Sequence, residues 1–85
     1  MAPRPEAYFW RTANGAEVDL VLEHRRHILP IEIKSSAQAR ASDADPLERF
    51  LDQHREAPWG LVAYAGDEVA PLSRRVLAAP LARLL

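Results

Sequence analysis

Three observations in this sequence predict an α/β fold, a mixed sheet with an antiparallel hairpin and one crossover helix. Residues 17–34 alternate apolar and polar side chains on either side of a polar turn, which is the period-2 signature of paired strands. Asp45-Pro46-Leu47-Glu48 opens a segment whose Leu47, Phe50, Leu51 and His54 recur at i, i+3, i+4 and i+7, one stripe of a helix. The run from Gly60 to Tyr64 is short, almost continuously apolar and bounded by Pro58 and Gly66, as expected of a strand covered on both faces.

Taken in order, residues 1–6 hold two prolines and read as an irregular lead-in. Tyr8-Phe9-Trp10-Arg11-Thr12 is a first strand, and Asn14-Gly15 a turn, because both residues tolerate positive φ. From Glu17 to Glu23, Val18, Leu20 and Leu22 point to one face, and Glu17, Asp19 and Val21 to the other. After the turn His24-Arg25-Arg26-His27, a strand from Ile28 to Lys34 sets Leu29, Ile31 and Ile33 against Glu32 and Lys34. Pro30 cannot donate to a ladder, so its nitrogen must face an open edge or a bulge.

Ser35 to Ser42 reads as a loop. The helix starts with Asp45 as cap, Pro46 at the first helical position and Glu48 in a capping box, and it ends before Pro58. Asp67-Glu68 is a turn. Val69 to Leu72 and Arg75 to Leu77 are short strands, and Leu81 to Leu85 begins a helix. No internal repeat or domain boundary is visible, so residues 1–85 form a single domain.

A chain of 85 residues buries only about 63% of the surface its unfolded form exposes, enough for one small core. With no cysteine, disulfides, thiolate zinc sites and thiol catalysis are excluded, and a cytoplasmic location fits. The longest apolar runs fall far short of the roughly 20 residues that span a bilayer. The net charge of -1 gives no overall basic field, although the pairs Arg25/Arg26 and Arg74/Arg75 are suited to phosphate. Ten cations are arginine and one, Lys34, is lysine, a compact point charge where the rest are planar forks.

Pairing across the turn at Arg25-Arg26 makes partner numbers sum to 51, which sets Asp19 opposite Glu32, Glu17 opposite Lys34, and the aliphatics opposite one another. Facing carboxylates destabilise a sheet. A hard cation such as Mg²⁺, or Mn²⁺, shared by Asp19 and Glu32 would offset that cost, with Lys34 beside the metal-bound water or a phosphate. The same residues also suit a surface salt-bridge cluster in which Lys34 neutralises Glu17 and Glu32. His24 and His27 read as solvated turn residues, His54 as a packing residue on the helix, and Trp10 and Trp59 as core or interface anchors. There is no glycine-rich phosphate loop, so the chain does not itself bind ATP as a P-loop protein would.

Val18-Asp19 followed by Glu32-Ile33-Lys34 resembles the core motif of the PD-(D/E)xK nucleases, the restriction-endonuclease-like fold. Tyr8-Phe9-Trp10-Arg11-Thr12, Asn14-Gly15-Ala16-Glu17-Val18-Asp19 and Pro30-Ile31-Glu32-Ile33-Lys34-Ser35-Ser36 resemble the C-terminal domain of uncharacterised function in bacterial and archaeal AAA-type ATPases. The resemblance extends through the helix near Leu47 and the ending Val76-Leu77-Ala78-Ala79-Pro80-Leu81. It implies Asp19, Glu32 and Lys34 as catalytic residues, and Asp19 and Glu32 as metal ligands with Glu17 as an additional acidic neighbour. It also implies a helix before the first strand for which this chain has no room, Glu6 being the one upstream carboxylate. The function this implies is Mg²⁺-dependent cleavage of nucleic-acid phosphodiesters. The alternative is an inactive regulatory or interaction module of an AAA-type ATPase. The missing helix implies a homodimer or a partner segment from a longer ATPase-associated protein.

Overall fold

The computed structural model describes residues 9–11 and 18–84. It is a mixed α/β domain: strands β1 (Phe9–Arg11), β2 (Leu20–His24), β3 (His27–Ile33), β4 (Gly60–Tyr64), β5 (Ala70–Pro71) and β6 (Val76–Pro80) form one sheet in the order β1-β2-β3-β4-β6-β5. Helix α1 (Asp45–Gln53) connects β3 to the parallel strand β4, and α2 (Leu81–Leu84) closes the chain. The Asn14-Gly15 turn lies outside the described residues, but β1 pairs antiparallel with β2 as the sequence predicts.

The β2–β3 register is the predicted one: Leu20 pairs with Ile31, Leu22 with Leu29 and His24 with His27. In a two-residue hairpin the closing pair exchanges both hydrogen bonds and the pairs then alternate, so Pro30, opposite Val21, needs no N–H toward β2. On its other side β3 pairs with β4 only from Ile31 onward. A proline therefore fits inside a central strand without costing the ladder a bond.

Leu47, Phe50 and Leu51 of α1 pack with Val21, Ile28, Val62, Tyr64, Val76 and Ala78, so the main core lies on the face that carries Val21, Ile28 and Pro30. The face richer in large aliphatics, with Leu20, Leu22, Leu29, Ile31, Ile33 and Leu77, is covered only in part: Ile31 and Ala63 are buried, but Ile33 is 44% exposed and Leu77 45%. The physical reason is chirality: a parallel β3–α1–β4 crossover is right-handed, which fixes the helix on one face whatever side chains stand there. Gly60 fits that interface closely, since a Cβ there would lie 3.2 Å from Leu47 Cβ and 3.3 Å from Val76 Cγ2.

The cap of α1 is also displaced. A 3₁₀ turn over Ala41–Ala44 runs directly into the helix, and the acceptor that caps it is Asp43, which takes the backbone N–H of Arg40. Glu48 is not part of a capping box; it reaches across to the β5–β6 connection, where Ser73 Oγ and Arg75 donate to its carboxylate. Arg75 also donates to Asp52, one turn further along the same helix. This ion-paired group holds the helix to the sheet's far side. His54 is a packing residue as expected, stacked on Phe50 with 3.9 Å between ring centroids.

Candidate functional site

The candidate site gathers where β2 begins and β3 ends. The amide of Asp19 donates to the carbonyl of Ile31, the residue already paired with Leu20, so Asp19 and Leu20 share one partner. That is a β-bulge. It shifts the side-chain alternation by one residue, which is why Val18 and Val21 both enter the core although simple period-2 alternation would put them on opposite faces. The direct Asp19–Glu32 opposition predicted from the register is therefore interrupted at its last step.

The bulge gives the Asp19 carboxylate another contact. Its Oδ2 accepts the N–H of Ile33 at 2.8 Å, at the peptide that joins Glu32 to Ile33. Glu32 is half-buried on the α1 side of β3, beside Val62 of β4. Lys34, two residues on, donates from Nζ to Asp43 Oδ1 at 3.0 Å, while its backbone N–H continues the ladder to Ala63. The structure thus brings Asp19 to the middle of the Glu32-Ile33-Lys34 segment and turns Lys34 toward the 3₁₀ turn. Glu17 lies outside the described residues.

Asp43 is the member of this neighbourhood that the sequence reading missed. One of its oxygens holds Lys34 and the other the Arg40 N–H at 2.6 Å. The Arg40 N–H, and after it the Lys34 ammonium, hold its carboxyl below the usual carboxylate range against an opposing effect of burial. An acid three residues after the start of a 3₁₀ or α turn was the available signal.

Among the described residues no three His, Cys, Asp or Glu side chains come together as a metal-binding group. The donor set does suit a hard cation in kind: Asp19 has a second carboxylate oxygen beyond the one on Ile33, and Glu32 is a second carboxylate near the same peptide. Mg²⁺ commonly takes one or two carboxylates and completes its shell with water and phosphate oxygens.

A fold and site of this kind define a small mixed α/β domain with acidic and lysine residues at the end of a hairpin. The chain belongs to the family described as a domain of unknown function, DUF4143, whose model matches residues 2–84. No curated protein and no solved structure matches it. Among the described residues no helix is long and apolar enough to cross a membrane.

Proposed function

We propose that this domain is a PD-(D/E)xK-like module with a restriction-endonuclease-like core that cleaves nucleic-acid phosphodiesters with Mg²⁺ or Mn²⁺. The observation that carries this reading is the Asp19 carboxylate seated on the amide between Glu32 and Ile33, which brings the first acid of the motif to the strand end that carries the other two residues. Asp19 and Glu32 would hold the cation, with Glu17 as the additional acid. When bound, the cation supplies an acidified water and neutralises phosphate charge. Lys34, paired with Asp43, offsets negative charge on the phosphate, and Asp43 fixes where its side chain stands.

Incubation of single-stranded, duplex and branched DNA with the protein and Mg²⁺ or Mn²⁺ tests this. Cleavage that falls by about a hundredfold or more in Asp19→Asn and in Lys34→Ala is the expected result. Cleavage undiminished in both variants rejects the assigned roles.

A second reading, an inactive interaction module of an AAA-type ATPase, is favoured by the Lys34–Asp43 ion pair, which already neutralises the ammonium. Half-exposed Ile33 and Leu77 would then serve contact with a second copy or an ATPase core. Calorimetry separates the two readings: no uptake of Mg²⁺ or Mn²⁺ at millimolar concentration, with stable self-association or ATPase binding, supports the second. A monomer in sedimentation that binds no ATPase core counts against it.

A further inference from the structure

We propose that the tip of the β2–β3 hairpin, together with Trp59, binds single-stranded nucleic acid, a base stacking on the indole and the phosphates meeting Arg25 and Arg26. This inference rests on the nucleic-acid reading above and names the form of substrate.

Trp59 is not the buried anchor that its residue type suggests: it is 59% exposed, the largest value among the exposed large hydrophobic side chains. It lines an open cavity of about 280 Å³ with Leu22, His24, His27, Leu29 and Pro58, a mainly apolar lining that includes two imidazoles. His24 and His27 are the closing pair of the turn, so Arg25 and Arg26, both exposed, are covalently adjacent to that cavity. Arg25 has φ 57°, in the left-handed region that a bulky side chain seldom occupies, so a strained cationic residue stands at the tip where glycine or asparagine would be relaxed.

The other arginine pair also borders the indole, since Arg74 and Arg75 line a second cavity with Trp59, but only one of that pair is open to a phosphate. Arg75 is committed to Glu48 and Asp52, which makes it a tether of α1. At the hairpin tip an exposed indole shares a cavity with His24 and His27, the residues that flank the exposed Arg25-Arg26 pair, which supplies the two parts that single strands require, a π-face for any base and positive charge for the backbone. Glu23 and Glu56 are the nearest acids in sequence and pairing, Glu23 opposite Ile28 and Glu56 bonded through its carbonyl to the Ile28 N–H. They restrict the cationic surface to the tip itself. The cavity lies on the Leu22/Leu29 face of the hairpin, opposite the α1 side that carries Glu32, and Ile33 is about 20 Å from His27 along β3, so the tip is a binding surface separate from the cation site.

The test is fluorescence anisotropy with a labelled oligothymidylate of about fifteen nucleotides, in EDTA so that no cleavage occurs. Expected results are binding that weakens with rising salt, affinity lower by about five- to a hundredfold in Trp59→Ala, and most of it retained in Trp59→Phe. The double variant Arg25→Ala/Arg26→Ala lowers both affinity and its dependence on salt. Absence of binding at about 50 mM salt overturns the proposal, as does parental affinity in both Trp59→Ala and the double variant. If Mg²⁺-dependent cleavage survives while these variants bind as the parent does, the tip is rejected and the phosphodiester reading stands. If the tip binds but no cleavage occurs, the reverse holds.

Discussion

The Lys34 ammonium and the Asp43 carboxylate meet at 3.0 Å across the junction of β3 and the 3₁₀ turn, and the same carboxylate closes on the Arg40 N–H. One acid thus starts the helical segment and fixes the direction of the lone lysine. Because its folded pKa lies below its unfolded value, its stabilisation is present above the ordinary carboxylate range, about pH 4, and is lost as pH falls through the folded value. Asp43→Asn keeps an acceptor oxygen but cannot titrate. Thermal melts from pH 7 down to pH 2 should show a shallower acid-side decline in this variant.

Glu48 has the same sign. Ser73 first, and then Arg75, hold its carboxyl below the usual range, so the ion-paired tether between α1 and the β5–β6 connection also weakens in acid. Glu48→Gln should melt about 4–8 °C lower at neutral pH, the shift that about 1 kcal/mol produces in a domain of this size. The difference between Glu48→Gln and the parent should shrink toward pH 3, where the parent's own carboxylate is protonated. A constant difference across that range would show that the tether is not electrostatic.

For Asp19, stability and chemistry can be separated by choice of substitution. Asp19→Ala leaves the Ile33 N–H without its acceptor and should cost about 1 kcal/mol, whereas Asp19→Asn retains an oxygen there and should melt within a degree or two of the parent. Equal loss of stability in both variants would mean that the carboxylate charge, and not its acceptor oxygen, holds the strand end.

How much of this neighbourhood was legible differs from residue to residue. The pairing of Leu20 with Ile31 and Leu22 with Leu29 followed from a two-residue turn and matched aliphatics, both local in the chain. The bulge at Asp19 was not legible, because it depends on one amide choosing Ile31 over the next carbonyl, and nothing in Val18-Asp19-Leu20 marks that choice. Which face α1 covers was not legible from the size of the side chains, because the hand of the crossover selects it. Asp43 was missed because its partner lies across the fold, nine residues away, and the segment before it looked like a plain loop.

The α1 interface should be the most sensitive part of the domain. Leu47 is wholly buried, so Leu47→Ala should cost about 2–5 kcal/mol by loss of burial and an added cavity. At Gly60, valine would crowd Leu47 and Val76 and should cost about 1–3 kcal/mol. Urea unfolding measures both, and a neutral Gly60→Val would show that α1 can move away from the sheet.

The hairpin tip offers the opposite sign. Arg25→Gly relieves the positive φ and should stabilise the domain by a fraction of a kcal/mol up to about 1 kcal/mol, while Arg25→Val should destabilise it. If Arg25→Gly is both more stable and weaker for oligothymidylate, the strain is retained for binding.

Pro71 occupies the short outer strand β5, with no N–H to present beyond Leu77. That margin cannot template an incoming chain, so recruitment of another strand is confined to the β1 border. A ribbon that grows copy upon copy needs two receptive borders, and among the described residues the sheet has at most one: pairing through it can produce a closed couple but not a filament.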